Sequence, residues 1–343
     1  MKAVINTQYR EPKYTMKKIF TIYFLFLAVI ISCEDENVTD PDSDEASTGW
    51  TRFDGNPVFR DTVENVDYNY EVASDAHIFL DENQSLKMIY SGDVNERISI
   101  KLASGSSWQD WKKEKPLLFQ PNSAGTDVYK ETAFYRKSST GKHQIYYVGY
   151  EKEETYEAQI FLAEADSLNG PYYQHPQPIV PKGTIAGKDV YCMTSPSILE
   201  YEDKLYMIFI GWNAPPNEVP EVWIIGAISF DNGYNWTDFQ LVDTKIGMEG
   251  QVTKTSEGKF IAVRTGEYKH DEAIFYSTAN HPFGPWTESK TPILTRAGAP
   301  WEVDEIIAPQ ITIDETTGDQ YLYYTGADHQ KGWWIMLAIQ NSP

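Results

Sequence analysis

Three carboxylic acids open short apolar runs of the chain, where they could take part in acid–base chemistry. Asp75 begins Asp-Ala-His-Ile-Phe-Leu, Glu131 begins Glu-Thr-Ala-Phe-Tyr-Arg and Glu249 begins Glu-Gly-Gln-Val-Thr-Lys. A fourth, Asp304, comes shortly before the run Ala-Pro-Gln-Ile-Thr-Ile, which starts at Ala308. Two carboxyl groups on either side of a substrate can work as a pair if one donates a proton while the other stays ionised. These four residues are the first candidates for a catalytic site.

The runs belong to a unit that recurs five times along the chain, at intervals of roughly 55 to 65 residues. Each unit has a first apolar run, a polar turn, a second run rich in aromatic and β-branched residues, and a third run. The first runs are 75–80, 131–136, 195–200, 249–254 and 308–313, the second are 87–92, 144–149, 205–211, 259–266 and 320–326, and the third are 98–103, 159–163, 223–229, 273–277 and 334–339. Short β-rich segments at this period predict a propeller or another repeat array. Five copies predict an all-β fold, a five-bladed β-propeller whose antiparallel strands surround a central pocket.

The composition limits the partners that the protein can have. The chain has 343 residues, of which 14% are aromatic, and a formal net charge of −21. The negative charge argues against nucleic acid and against an anionic membrane surface as partners. It leaves neutral sugars as a class of ligand. The sequence has no Cys/His cluster of the zinc-binding type and no glycine-rich nucleotide-binding fingerprint.

The N-terminal residues predict export. Two lysines precede an apolar stretch at 19–31, which is followed by Ser32 and Cys33. This pattern predicts a signal peptide over residues 1–33, and the stretch is shorter than a membrane-spanning helix needs. Its end resembles a bacterial lipobox, which implies cleavage before Cys33 and lipidation of that cysteine. We expect an exported protein that is lipid-anchored to the outer membrane or the cell surface, with this anchor as its only membrane contact.

A tether and one folded domain are expected after the cysteine. Residues 34–48 are acidic, rich in Ser and Asp and free of aromatic side chains, and so predict a disordered tether. The propeller domain is then expected to cover 49–343. The segment 50–59 has no unit of its own, and we expect it to add an outer strand to the last blade. Such closure would remove a free sheet edge.

The chain resembles the five-bladed glycosidases, the superfamily of glycoside hydrolase families 43 and 32. The resemblance covers residues 50–340 and rests on the fivefold unit, the Asn-Pro-Val-Phe segment at 56–59 and the Gly-Pro-Trp turn at 284–286. It implies a propeller that binds carbohydrate in its axial pocket and hydrolyses glycosidic bonds with paired carboxyl groups. No cofactor is implied as a requirement. Some relatives hold a calcium ion at the centre of the ring, so a structural calcium ion is one implied ligand.

The resemblance also implies roles for the carboxylic acids. In these families an Asp on the first blade's inner strand is the base or nucleophile, a second Asp tunes pKa, and a Glu of the third blade is the acid. Asp75 matches the base and Glu131 the modulator. The third unit reads Met-Thr-Ser-Pro at 193–196, without the carboxylate expected there. Glu249, at the equivalent step of the fourth unit, is the first replacement for the acid, and Asp304 is the second.

Further residues are expected around the mouth of the pocket, because second strands would run back to the same face. Trp212 and Trp301 could stack on sugar rings, and Arg264 could pair with Glu249 or Asp75. Ordinary packing between blades, or the capping of a loop, is the alternative role for each of them. The predicted substrate-binding residues are His77, Trp212, Arg264, Glu267, Trp301 and His329.

Three other functions fit parts of the sequence. Residues 229–236 match the Asp-box pattern S-x-D-x-G-x-x-W of sialidases, but this turn motif carries no chemistry, and a sialidase also needs an arginine triad. A glycoside phosphorylase would need a basic cluster for phosphate, of which the chain shows little sign. A surface lipoprotein that only binds glycans would account for the missing acid of the third unit. The number of carboxylates at strand starts favours the hydrolase.

Overall fold

The described part of the molecule is built from β-strands. A computed structural model describes residues 49–63, 70–94, 97–120, 127–153, 155–214, 220–242, 249–298 and 300–341. These residues form strands, turns and loops, and none of them lies in a helix. Within those ranges, accordingly, no helix capable of crossing a membrane is found. The predicted signal peptide with Cys33 and the predicted tether at 34–48 lie outside the described residues.

The strands group into five successive units. Strand β1 covers Thr51–Arg52. Unit I contains β2 (Glu71–Leu80), β3 (Leu86–Asp93), β4 (Ile98–Ser107) and β5 (Asp110–Lys113), and unit II contains β6 (Phe119–Gln120), β7 (Tyr129–Lys137), β8 (His143–Tyr150), β9 (Gln159–Ala165) and β10 (Tyr172–Gln174). A short hairpin of β11 (Gly183–Ile185) and β12 (Lys188–Val190) precedes unit III, which contains β13 (Cys192–Tyr201), β14 (Lys204–Trp212), β15 (Val222–Ser229) and β16 (Thr237–Leu241). Unit IV contains β17 (Gly250–Lys254), β18 (Phe260–Tyr268), β19 (Asp271–Ala279), β20 (Thr287–Glu288) and β21 (Leu294–Thr295), and unit V contains β22 (Glu305–Ile313), β23 (Gln320–Asp328) and β24 (Gly332–Gln340).

The predicted strand pattern of the units is confirmed. In every unit three long strands pair antiparallel in chain order, and each of the predicted apolar runs overlaps one of them. The prediction misses the short outer strands β5, β10, β16 and β20 and the hairpin of β11 and β12. Units I and V are joined in addition by a short parallel pairing, in which Glu71 of β2 lies opposite Gly332 of β24.

The hydrophobic core is divided into clusters that lie between neighbouring units. Each boundary is filled by buried aliphatic and aromatic side chains from both sides, because each sheet has two apolar faces. Pairs that represent the five boundaries are Ile89 and Tyr147 between units I and II, Tyr146 and Met207 between II and III, Leu199 and Phe260 between III and IV, Ile261 and Trp334 between IV and V, and Tyr323 and Met88 between V and I. The units therefore support one another in sequence, and the fifth packs on the first.

Hydrogen bonds tie the units together along the same circuit. The amide of Asp75 donates to Thr325 Oγ1 of unit V at 3.2 Å. The remaining links join Thr132 N to Ser91 Oγ at 3.2 Å, Ser195 N to Thr132 Oγ1 at 3.4 Å, Val252 N to Ser197 Oγ at 3.1 Å and Thr253 Oγ1 to the Ile311 carbonyl at 2.8 Å. Strand β2 also lies close to both β7 and β22. The first strands of the five units consequently lie around a common centre.

The N-terminal strand is attached to unit V, as expected. Thr51 of β1 lies opposite Ile339 of β24 in an antiparallel pair. The Arg52 guanidinium donates two hydrogen bonds to the Glu302 carboxylate, from Nε to Oε1 at 2.9 Å and from Nη2 to Oε2 at 2.7 Å. Glu302 is 1% exposed and also accepts the Tyr324 hydroxyl at 2.6 Å. Burial alone would raise the pKa of Glu302, but the bonds from Arg52 and Tyr324 outweigh it and hold the pKa below its ordinary value.

Replacing Arg52 with alanine should destabilise the fold, because it leaves the buried Glu302 carboxylate without its counter-ion. We expect Arg52→Ala to lower the free energy of unfolding by about 3 kcal/mol in a urea titration followed by tryptophan fluorescence. The exposed Arg97 provides the control, and Arg97→Ala should leave the midpoint unchanged. Equal stability of the two variants would show that the bidentate pair does not fix the N-terminal strand.

Candidate active site

The first strands of four units carry the same irregularity close to their starts. Asp75, Thr132, Ser195 and Ala308 have φ angles of 53°, 45°, 53° and 50°, respectively. At each of these residues the register against the second strand slips, which marks a β-bulge. Residues with a side chain adopt positive φ at a cost, and bulges change the direction in which side chains point. In unit I the residue at the bulge is the candidate base Asp75.

Unit IV reaches the centre without a bulge and has a glycine at this step. The Glu249 carbonyl accepts the amide of Thr265 at 2.8 Å, and β17 then pairs with β18 without a slip. A Cβ added to Gly250 would lie 2.1 Å from the carbonyl oxygen of Val263, so no other residue fits there. Glu249 thus occupies the position that Glu131 has in unit II, directly before the bulge residue.

Asp75, Glu131 and Glu249 form one electrostatic group, which we call the central cluster. The charges of Asp75 and Glu131 both raise the pKa of Glu249, and that of Asp75 raises the pKa of Glu131. The three residues come from units I, II and IV, so they meet at the centre of the molecule. Within the described residues, no lysine or arginine forms an ion pair with any of them.

Asp75 is the member of the central cluster with the most hydrogen-bond donors. Burial raises the pKa of Asp75 above its ordinary value, and hydrogen bonds from Ser91, Ser74 and the amide of Thr132 offset only part of this rise. The Ser74 hydroxyl donates to Oδ2 at 2.9 Å. Donors that point at a carboxylate stabilise its charged form. The local geometry therefore favours Asp75 as the carboxyl group that keeps a negative charge.

Glu131 lies against a pair of tyrosines. The Tyr156 hydroxyl donates to its Oε1 and the Tyr150 hydroxyl to its Oε2 at 3.4 Å. Burial and the charge of Asp75 nevertheless raise the pKa of Glu131 to about 8. The tyrosine rings pack on each other with centroids 4.7 Å apart, and Trp212 supports Tyr156 at 6.5 Å. An aromatic wall thus fixes the position of this carboxyl group.

Glu249 is the most deeply buried carboxyl group of the central cluster. It is 4% exposed, and its Oε2 has no hydrogen-bond partner among the described residues. Burial raises its pKa well above the ordinary value, and the charges of Asp75, Glu131, Glu305 and Glu272 raise it further. A carboxyl group in such surroundings releases its proton less readily than an ordinary glutamic acid.

Two glutamates that sequence reasoning did not select lie beside the central cluster. Glu272 accepts the amide of Ile306 at 2.8 Å and so connects units IV and V. Glu305 precedes Ile306 and pairs with His329, with 3.1 Å between Oε1 and Nε2. In the sequence, Glu305 directly follows the candidate residue Asp304, whereas Glu272 lies at the start of β19, the third strand of unit IV. The signal that could have found Glu272 is the hairpin register, which places it opposite the predicted Glu267.

Asp304 supports His329 and lies outside the central cluster. Its Oδ2 accepts the His329 amide at 2.6 Å and lies 3.6 Å from Nδ1. Burial alone would lower the pKa of His329, but the hydrogen bond and charge of Glu305, with the charge of Asp304, raise it above its ordinary value. Asp304 and His329, which were both predicted as site residues, therefore contact each other outside the central cluster.

His77 is buried in β2, two residues after Asp75. Its Nδ1 is 3.0 Å from Gln251 Oε1, and its ring packs at a tilt against Phe134 with centroids 4.1 Å apart. Because burial lowers its pKa to about 4, with Gln251 opposing only in part, His77 is neutral at neutral pH. Uncharged side chains from units I, II and IV thus meet around His77.

The expected roles of Trp212 and Arg264 are wrong. Trp212 is 3% exposed and packs among Tyr150, Tyr156 and other buried side chains, so it has no free face for a sugar ring. Arg264 does not pair with Glu249 or Asp75. Its guanidinium donates to Ser277 at 2.8 Å and pairs with Glu288 at 3.3 Å, because its side chain points between strands of unit IV.

Trp301 and Glu267 also lie apart from the central cluster. The Trp301 ring meets Trp334 edge-on at 4.9 Å, and the guanidinium of Arg60 lies over it at 5.3 Å, so its expected role as a sugar platform is not supported. Glu267 is exposed and contacts His270 at 3.4 Å. No three His, Cys, Asp or Glu side chains within the described ranges are arranged to hold a metal ion. The structural calcium ion stays a prediction.

The raised pKa of Glu131 predicts how stability depends on pH. Between its ordinary pKa of 4.5 and the folded value of about 8, the unfolded chain releases a proton that the folded protein keeps. Glu131 therefore makes the protein less stable as pH rises through this window. Gln has no proton to lose, so Glu131→Gln should raise the melting temperature relative to the parent by about 3 °C more at pH 8 than at pH 5. The exposed Glu257→Gln serves as the control, and parallel curves for all three proteins would contradict the prediction.

Comparison with known proteins places the fold in a group of carbohydrate-active enzymes. No protein-family model matches the chain, and no curated protein matches it. A thermostable family-43 glycoside hydrolase is 15% identical with a TM-score of 0.59, over 78% of this chain and 88% of the other. An α-L-arabinofuranosidase from Podospora anserina is 12% identical with a TM-score of 0.58, over 82% and 95%. A protein of the GH130 family, which contains mannoside phosphorylases and glycoside hydrolases, is 16% identical with a TM-score of 0.61, over 90% and 99%. The chain therefore shares its fold with these three proteins.

Proposed function

We propose that the protein is a glycoside hydrolase with a five-bladed propeller fold, which cleaves glycosidic bonds of polysaccharides or oligosaccharides with Asp75 and Glu249. The observation that carries this proposal is the contrast between the two carboxyl groups. Glu249 is buried with a free oxygen among negative charges, while Asp75 is held by hydrogen-bond donors. The circuit of hydrogen bonds from unit to unit and the fold likeness support the propeller.

Asp75 is proposed as the general base. Hydrolysis needs one carboxylate that stays ionised, and the donors around Asp75 stabilise that form. The carboxylate would take a proton from the attacking water, or attack the sugar carbon itself if the reaction proceeds through a covalent intermediate. The separation of the carboxyl groups in a substrate complex distinguishes these two routes, since a direct nucleophile stands closer to the acid.

Glu249 is proposed as the general acid. A glycosidic oxygen is a poor leaving group unless it receives a proton as the bond breaks. Glu249 is proposed to hold a proton at neutral pH, because burial and the neighbouring carboxyl groups raise its pKa well above the ordinary value. After the proton has left, the same surroundings favour its return from water. The charge of Asp75 is the largest of those that keep the pKa of Glu249 raised, and Glu131 adds to it once it is ionised.

The proposed reaction uses only carboxyl groups and water. A phosphorylase would need cationic side chains to hold phosphate. Of the described arginines close to this region, Arg264 is engaged with Glu288 and Arg296 with Asp271. The surroundings of the central cluster thus favour hydrolysis over phosphorolysis, and the substrate is expected to be a neutral carbohydrate.

Loss of either catalytic carboxyl group should be visible in kinetics on a panel of glycosides and polysaccharides. We expect Asp75→Asn to lower kcat/KM by about 10²–10⁴ on every substrate that the parent cleaves. Glu249→Gln should lower kcat/KM by the same factor on natural glycosides. On aryl glycosides it should lower kcat/KM much less, because their leaving groups depart without a proton. The exposed Glu257→Gln is the control and should match the parent.

Two results would contradict the proposal. Parent-level activity of Asp75→Asn would show that another group is the base. Binding of glycans without any turnover by the parent protein would make it a capture protein with the fold of an enzyme.

We also propose that the protein is exported and anchored by a lipid on Cys33. The support is the lipobox-like end of the predicted signal peptide at Ser32 and Cys33. A lipid anchor would hold the carbohydrate-binding domain at the outer membrane or the cell surface. Cell fractionation and lipid labelling test the anchor directly.

Full-length protein expressed in a Gram-negative host with radiolabelled palmitate should carry the label in the membrane fraction. Cys33→Ala should abolish labelling, because the thiol that accepts the lipid is gone. The chain has one other cysteine, the buried Cys192, and Cys192→Ala should be labelled like the parent. Undiminished labelling of Cys33→Ala would refute the anchor.

A further inference from the structure

A groove lies between units IV and V, at the far ends of their first strands. Residues of the turns 255–259 and 314–319, which follow β17 and β22, line it together with residues of the turn 280–286 after β19. We call it the IV–V groove. Its volume is about 570 Å³, and sites for small molecules in proteins have volumes of about 300–1,000 Å³. The groove is therefore large enough for a small organic ligand.

The groove opens well away from the central cluster. Glu249 stands directly before β17, and Thr255, which lines the groove, directly follows that strand. Six residues of extended chain span about 20 Å. A ligand in the groove is thus separate from the carboxyl groups at the start of the first strands.

The lining of the groove combines uncharged polar groups with an apolar surface. Five of its polar side chains form no hydrogen bond with any other described residue, namely Tyr276, Thr278, Asn280, Thr287 and Gln320. Hydroxyl and amide groups can both donate and accept hydrogen bonds. The ring of Tyr276 packs, half-buried, against the apolar cluster that contains Ile261, which also lines the groove. The groove thus offers an aromatic and aliphatic surface that is surrounded by free donors and acceptors.

Gln320 is the lining residue that most needs a partner. Its Oε1 is buried, yet no group of the described residues donates a hydrogen bond to it. A buried acceptor without a donor is unfavourable, and such atoms are as a rule satisfied in native proteins. Gln320 begins β23, where the groove meets unit V. A ligand with hydroxyl groups would supply the missing donor.

The charges of the groove favour a neutral ligand. Lys259, the cation of its lining, pairs with Glu257 at 3.2 Å. The remaining charged residue of the lining is the exposed Glu315. A phosphate or an acidic sugar would therefore meet a net negative charge. A neutral sugar fits better, because its hydroxyl groups donate and accept hydrogen bonds while its apolar ring face packs on aromatic and aliphatic side chains.

We propose that the IV–V groove is a second carbohydrate-binding site, which holds a neutral oligosaccharide without cleaving it. Gln320, Thr278 and Tyr276 bind the sugar in this site, through the amide, the hydroxyl and the ring. The site goes beyond the proposed hydrolase activity and does not depend on the roles of Asp75 and Glu249. A second contact with the same polysaccharide raises the effective concentration of that chain at the protein.

NMR titration with neutral hexasaccharides of glucose, mannose, xylose and arabinose tests the site. In the ¹⁵N-labelled protein, the side-chain amide signal of Gln320 is assigned by its absence in Gln320→Met. This signal should shift when at least one of the four sugars is added. Gln320→Met should weaken the binding of that sugar by about tenfold, measured from the backbone amides of Thr278 and Asn280, because the sugar loses a hydrogen bond to a buried group. Gln109→Met makes the same change at an exposed glutamine outside the groove and should bind like the parent.

A urea titration separates the loss of a ligand contact from damage to the fold. Gln320→Met removes a buried acceptor that has no donor, so the variant should be at least as stable as the parent. Thr278→Val replaces a hydroxyl group with a methyl group of the same size and should also weaken the binding. It decides the question if Gln320→Met does not fold.

The outcomes separate this inference from the proposed function. A Gln320 signal that none of the four sugars shifts would overturn the second site, and so would equal affinities of the parent and both groove variants. Turnover of glycosides alongside either result would leave the proposed hydrolase intact. Binding in the groove without turnover of any glycoside would support the second site and overturn the hydrolase.

Discussion

The burial of several carboxyl groups at one point, where no lysine or arginine of the described residues forms an ion pair with Asp75, Glu131 or Glu249, is the constraint on which the site depends. Carboxyl groups that share a poorly solvated space cannot all ionise, because each charge raises the free energy of the next. The proton is therefore distributed unequally, and hydrogen-bond donors decide where the charge stays. Asp75 has these donors and Glu249 has a bare oxygen. A base and an acid arise from the same amino-acid chemistry by environment alone.

The rest of the fold holds this unfavourable arrangement in place. Apolar clusters between the units fix the strands, and hydrogen bonds such as that from Asp75 N to Thr325 bring their starts together. The uncharged pair of His77 and Gln251 links units I and IV without adding a charge. Far from the site, ion pairs of the ordinary kind, such as Arg52 with Glu302, stabilise the fold. The packing and hydrogen bonds of the units offset the free-energy cost of burying these carboxyl groups together.

The sequence predicts the strands well because alternation and aromatic runs report directly on burial. It also brings Asp75, Glu131 and Glu249 together, since all three stand near the start of the first strand of a repeated unit, Asp75 at the bulge residue and the two glutamates one residue before the equivalent position. It fails where a side chain's direction depends on neighbours in another unit. Arg264 sits on a predicted strand but its side chain points between strands, and the Glu272 carboxyl group accepts the Ile306 amide of the neighbouring unit. The direction of neither side chain can be predicted from the spacing of residues in the sequence.

Neutron diffraction from crystals of the deuterated protein at pH 7 would test the account most directly, because it locates protons on individual oxygens. The account predicts a deuteron on the carboxyl group of Glu249 and none on that of Asp75. A bare Glu249 carboxylate beside a protonated Asp75 would contradict it, since the acid and the base would then be exchanged.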